Sequence, residues 1–205
     1  ETSDVEQLQK DLENDYGVEP EVKKDIDSWE VFSSIQKELI EKLAGNDNAI
    51  RKLCSAFRRP YVMGREPDRA ENVILVTGPR GSGRHSCLTM MAEALKARQV
   101  IASSEVYTID MSLYQSGSQE QIFLQDLYKA LNGTGSIVCF ENFETGFPSF
   151  LRMIDSLVCD GKVILNKRYV LNRGILIENQ TGLVKEAVDS LNASDKYLVF
   201  MTGKG

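Results

Sequence analysis

The sequence holds one histidine, one tryptophan and only five prolines among 205 residues. Its four cysteines, Cys54, Cys87, Cys139 and Cys159, show no C-x-x-C spacing. With His85 as the sole imidazole, that pattern excludes a structural zinc site. The cysteines read as reduced thiols, with Cys87 and Cys139 in segments that look like core. No apolar run approaches the roughly 18 residues of a membrane span, and no signal peptide opens the chain. The chain starts at Glu1 rather than at a methionine, so these absences describe this stretch alone. The expectation is an intracellular protein with no membrane partner. Positive charge is also in deficit: 24 Lys and Arg against 30 Asp and Glu give a net charge of −6, which points away from nucleic acid. The local pairs Arg51-Lys52, Arg58-Arg59 and Lys167-Arg168 read as solvated faces.

With 42% hydrophobic and 26% charged residues, the chain has the make-up of a globular domain and the length to bury one sizeable core. Residues 1–28 are acidic and polar, with a short Val5, Leu8, Leu12 stripe. They read as a peripheral helix and a loosely held lead-in to a domain over 29–205. Phe32, Ile35, Leu39, Ile40 and Leu43 mark an amphipathic helix ended by Gly45. Asn46 or Asp47 can N-cap a second helix carrying Ile50, Leu53, Cys54 and Phe57, and Pro60 is assigned to the loop that follows it. Apolar strands are predicted at 72–77, 105–110, 136–140 and 197–201, with helices at about 119–131 and 147–158. Pro148 suits a first turn. Asp160-Gly161 leads into 162–171, read as a hairpin around Asn166-Lys167-Arg168. Gly182 to Leu191 reads as a short helix. Strands alternating with helices imply an α/β fold, a parallel sheet with helices on both faces.

One stretch carries chemistry. Gly78, Pro79, Arg80, Gly81, Ser82, Gly83, Arg84 and His85 have the glycine spacing of a phosphate-binding loop, G-x-x-x-x-G-K-[ST]. An apolar strand precedes it, and Leu88, Met91, Ala92 and Leu95 recur at helical spacing after it. In that motif backbone N–H groups cradle phosphates, the Lys reaches the β- and γ-phosphates, and the hydroxyl holds Mg²⁺. Here Arg84 and His85 replace those two side chains. Arg84 keeps a positive charge that can pair a phosphate bidentately. His85 is a poor Mg²⁺ ligand, because that ion prefers oxygen. Ser86 offers a hydroxyl one position late, about 100° around the helix.

The chain resembles the large subdomain of a AAA+ protein of the Clp/Hsp100 type. Six segments match in order. Leu43 to Ile50 resembles V-I-G-Q-D-x-A-I. Gly78 to His85 resembles Walker A. Ile109 to Tyr114 resembles I-D-M-S-E-Y, and Ile137 to Glu144 resembles the Walker B run V-V-L-F-D-E-I-E. Cys159 to Lys162 resembles L-D-D-G-R, and Phe200 to Lys204 resembles the sensor-1 strand I-M-T-S-N. The resemblance implies a P-loop three-layer sandwich, with the helical lid lying beyond Gly205. It implies an ATP or ADP site formed by Gly78 to Ser86, with Ala44 and Asn46 beside the adenine. It also implies protein partners, including other AAA+ subunits in a ring, and a chain that by itself is monomeric or weakly associating.

Its departures concern hydrolysis. Glu141 and Asn142 stand where the family has the Asp that orders Mg²⁺ and the Glu that polarises water, and Lys204 stands at the sensor-1 Asn. Glu141 keeps a charge on a longer arm, able to meet a metal through water, whereas Asn142 cannot act as a general base. Mg²⁺ binding is therefore in doubt. No aromatic-glycine pore loop follows Tyr114, which reads as a packing residue. Residues 175–196 are an insertion, read as an extra helix over the sheet, with a partner-docking surface as the alternative. Three functions stay open: a nucleotide-binding regulator or scaffold impaired in hydrolysis, a divergent active ATPase or chaperone subunit, and an interaction domain whose glycines only preserve a tight turn.

Overall fold

A computed structural model of the chain describes residues 26–180 and 187–203. Residues 1–25 of the 1–28 lead-in, with its expected peripheral helix, Leu183 and Val184 of the insertion, and Lys204 lie outside the described residues. The first described helix, α1 (Ser28–Lys42), starts where the Asp27 carboxylate accepts from the N–H groups of Trp29 and Glu30 at 3.0 and 3.1 Å. It packs Phe32, Ile35 and Leu39 against the apolar face of α2 (Asp47–Met63). Asn46 occupies the N-cap of α2 without a side-chain capping bond.

Pro60 lies inside α2, not in the loop to which its residue type assigns it. A proline within a helix removes the donor that the carbonyl four residues back requires. That carbonyl belongs to Ala56, and the side-chain amide of Asn72 donates to it at 2.7 Å. Asn72 opens the first strand, so one side chain repairs the helix and ties it to the sheet.

The main sheet is parallel throughout, in the order β1–β7–β3–β2. Its strands are β1 (Asn72–Thr77), β2 (Val106–Asp110), β3 (Ile137–Glu141) and β7 (Tyr197–Thr202). Helices α3 (Arg84–Ala97), α4 (Glu120–Asn132) and α5 (Pro148–Asp160) complete the sandwich, with Pro148 in the first turn of α5. Alternate residues of each central strand enter opposite cores. Val138, Phe140, Leu198 and Phe200 join the side of α4 and α5, while Ile137, Cys139, Tyr197, Val199 and Met201 join that of α1, α2 and α3. Every residue of β7 is buried, as a central strand covered on both faces requires. All four cysteines are free; burial pushes the Cys54 and Cys139 thiols up to about 12, while Cys87 is half-buried and Cys159 exposed.

The second sheet corrects the sequence reading twice. Residues 162–172 form one strand, β4 (Lys162–Asn172), rather than a hairpin about Asn166-Lys167-Arg168. The turn falls at Arg173-Gly174, with φ of 50° and 78°, between β4 and β5 (Ile175–Glu178). Two successive positive φ values suit a two-residue hairpin, and an arginine in the first position hides the signal. Residues 187–192, expected to be helical, are strand β6 (Ala187–Asn192), paired antiparallel with β4. The register jumps between Ile164 and Tyr169, so Val188 opposes Tyr169 while Leu191 opposes Val163. This bulge turns Val188 and Leu191, three residues apart, towards the same core. Their spacing imitates a helix for that reason.

Asn72→Ala is expected to destabilise the chain by about 1–2 kcal/mol in denaturant unfolding, the cost of an orphaned carbonyl. In a Pro60→Ala background, where a backbone N–H again reaches Ala56, the same substitution should cost less. Equal costs in the two backgrounds would show that the Asn72 amide does not compensate for the proline.

Candidate functional site

The parallel register sets the ends of the strands side by side. Asp110 pairs with Glu141, Glu141 with Met201, and Thr77 with Thr202. Ligand sites in open α/β sheets lie beyond these carboxyl ends. The loop after β1 turns there into α3. Gly81 and Gly83 adopt φ of 81° and 80°, which glycine reaches without strain, and no atom lies within 4 Å of where a Cβ would sit on either. Gly83 is the N-cap of α3, so the first-turn N–H groups and the positive end of the helix dipole face the loop. A cavity of about 500 Å³ opens in front, lined by Arg80, Arg84, His85, Asp110, Glu141 and Asn142 among others. A second, more apolar cavity of about 590 Å³ runs from Asn46, Ala49 and Leu53 past β1 to Gly78, Pro79, Ser82 and Gly83.

Each substituted side chain in the first cavity is held by a partner. His85 Nε2 lies 2.8 Å from Glu141 Oε1, so the residues at the hydroxyl and acid positions of the two motifs meet each other. The Arg84 guanidinium donates to the Thr202 carbonyl at the end of β7. Asn142 sits in the left-handed region at φ 48°, ψ 37°, where asparagine is tolerated better than most residues. Its N–H donates to the Met201 carbonyl at 3.0 Å and its side-chain amide to Asp110 Oδ1 at 2.9 Å. Its own carbonyl accepts from Thr145 N and Oγ1 at 2.9 and 2.8 Å. Where a water-activating carboxylate is expected, Asn142 is a cap and a brace.

Burial pushes the Asp110 carboxyl upward, but the hydrogen bonds from Asn142 and Ser112 and the charge of Arg80 outweigh it. The net effect holds Asp110 below the usual carboxylate range, and it is an anion at neutral pH. Asp110 and Met201 line the cavity and were missed as site residues. The available signal for Asp110 was its place as the last residue of a predicted strand. Of the two residues expected beside adenine, Asn46 lines the apolar cavity, whereas Ala44 is not among the residues that line either one. Ser86 does line the phosphate-side cavity. Tyr114 is buried and donates its hydroxyl to Asp126, as a packing residue would.

A nucleotide fits these residues: the glycine cradle is open, two guanidinium groups flank it, and an apolar cavity adjoins it. Magnesium does not fit. The ion requires oxygen ligands in a tight octahedron. A nitrogen side chain, His85, stands at the loop's hydroxyl position, and its Nε2 lies 2.8 Å from Glu141 Oε1. Nor is any described helix long and apolar enough to cross a membrane.

No protein-family model matches the chain. It is 25% identical over 180 residues to the chaperone protein ClpB of Porphyromonas gingivalis, a match covering 79% of this chain and 20% of that protein. It superposes on the Saccharomyces cerevisiae Hsp104–ADP complex with a TM-score of 0.61 at 14% identity, over 87% of this chain and 24% of that one. A closed-state reconstruction of Hsp104 with ATPγS and FITC-casein gives a TM-score of 0.56 at 14% identity, over 88% and 29%. The chain thus spans about a fifth to a third of the length of these relatives. The chain thus shares the fold of these Hsp104 structures and is similar in sequence to part of ClpB.

Proposed function

We propose that this domain binds ATP or ADP at its altered glycine loop without effective hydrolysis. It acts as a regulatory or scaffolding module among protein partners, which include other AAA+ subunits in a ring. The observation that carries this reading is the split between backbone and side chains at one site. The loop and helix terminus that attract phosphate are intact, whereas His85 and Glu141, at the metal positions, meet each other and Asn142, at the water-activating position, is bound to Asp110. The pairing of Hsp104 with ADP, with ATPγS and with casein supports an expectation of nucleotide and polypeptide partners here. The domain's unit is residues 29–205, with 1–28 as an acidic lead-in, and its setting is intracellular.

Phosphoryl transfer depends on positioning and electrostatic stabilisation, so losses at several positions compound. Replacing the activating carboxylate by Asn142 alone costs about 10²–10⁴-fold. The substitutions at Arg84, His85 and Lys204 add to that. Binding is spared, because backbone N–H groups and two guanidinium groups supply it. A second reading, an interaction domain without nucleotide, is favoured by one contact: Arg84 is already engaged by the Thr202 carbonyl.

Calorimetric titration of ADP and ATP into the purified chain is expected to show saturable binding. A parallel phosphate-release assay should show no turnover above a Gly83-substituted control. Arg84→Ala should weaken binding at least tenfold, about 1.4 kcal/mol. Unchanged affinity would remove Arg84 from the site, and no binding by the parent chain would leave the interaction-domain reading standing. Arg84→Lys should restore no hydrolysis, since Asn142 remains; recovered turnover in that single variant would contradict the assignment of the lost base.

A further inference from the structure

We propose that this site takes the phosphates of a nucleoside di- or triphosphate without a divalent cation, the His85–Glu141 pair standing where the cation would be. The proposal rests on the nucleotide-binding reading above and specifies the form in which the ligand is bound.

Three features of the cavity carry it. First, a magnesium ion would lie about 2.0–2.1 Å from each ligating oxygen. His85 Nε2 is 2.8 Å from Glu141 Oε1, so the ring stands directly against that oxygen. One of the two Glu141 oxygens thus has a nitrogen group against it. Second, one oxygen of the other carboxylate facing the cavity is also committed. Asp110 Oδ1 accepts from Asn142 Nδ2 at 2.9 Å, from Ser112 N at 3.0 Å and from Ser112 Oγ at 2.7 Å. Three donors on one oxygen leave it little capacity to hold the water shell of a metal. Third, positive charge is built into the wall. Arg80 and Arg84 line the same cavity, and a guanidinium is charged at every accessible pH and matches phosphate geometry. The chain therefore supplies from its own side chains the charge that a phosphate site otherwise borrows from a metal.

The test is calorimetry on the full 205-residue chain with ADP, ATP and inorganic pyrophosphate, each in excess EDTA and in excess Mg²⁺. The expected result is binding in EDTA with an affinity within about threefold of that in Mg²⁺. Binding in Mg²⁺ that weakens more than about tenfold in EDTA overturns the metal-free proposal and leaves the nucleotide-binding reading intact. No binding in either condition overturns both. His85→Ser, at a side chain 58% exposed and outside the core, frees Glu141 and returns a hydroxyl to the loop. This variant should acquire a dependence on Mg²⁺ of at least about tenfold. If its affinity is indifferent to Mg²⁺, His85 is not what excludes the metal.

Discussion

The site depends on the insertion of β7 between β1 and β3. This strand comes last among those described, is buried along its whole length, and is paired in parallel on both edges. Its pairing brings Met201 and Thr202 beside a glycine loop more than a hundred residues earlier in the chain, and beside the end of β3. Parallel pairs of such separation require loop closure before any contact rewards it, so this strand is the costly step in assembling the domain. Once it is in place, the Thr202 carbonyl meets Arg84 and the Met201 carbonyl meets Asn142. The same insertion creates the two separate cores, because alternate β7 residues feed each of them.

The changed residues of the site form two kinds of contact, and magnitudes separate them. His85 is 58% exposed and Glu141 22%, and pairs this open to water are worth about 0–1 kcal/mol. Asn142 is different. Its backbone and side chain make four hydrogen bonds, each worth about 0.5–1.5 kcal/mol net, and its left-handed backbone suits asparagine. Three of the four belong to its backbone, and returning a carboxylate there would set a second negative charge against Asp110 in place of the amide bond. Asn142 is therefore tied into the fold more firmly than the His85–Glu141 contact.

The main sheet and its loop were legible because they rest on local signals. Buried parallel strands are short apolar runs, and a phosphate loop needs its glycines at fixed spacing between a strand and a helix. What escaped depended on partners distant in sequence. Pro60 reads as a loop residue until Asn72 is known to serve the Ala56 carbonyl. The β6 segment reads as a helix because a bulge in its partner sends Val188 and Leu191 to one side. Asp110 looked like part of a strand rather than part of a site, because only the register with Glu141 carries it there. The substitutions at Arg84, His85, Glu141 and Asn142 were visible one by one, but that His85 and Glu141 meet each other was not.

The most direct test of a site that holds nucleotide without cleaving it is the chemical identity of the bound ligand after long incubation. The chain would be loaded with radiolabelled ATP, freed of excess by gel filtration, held at working temperature, then denatured and its nucleotide separated by chromatography. The account predicts that the label is recovered as intact ATP, at the level found for ATP in buffer. Stoichiometric conversion to ADP and phosphate, faster than in a Gly83-substituted control, would contradict it.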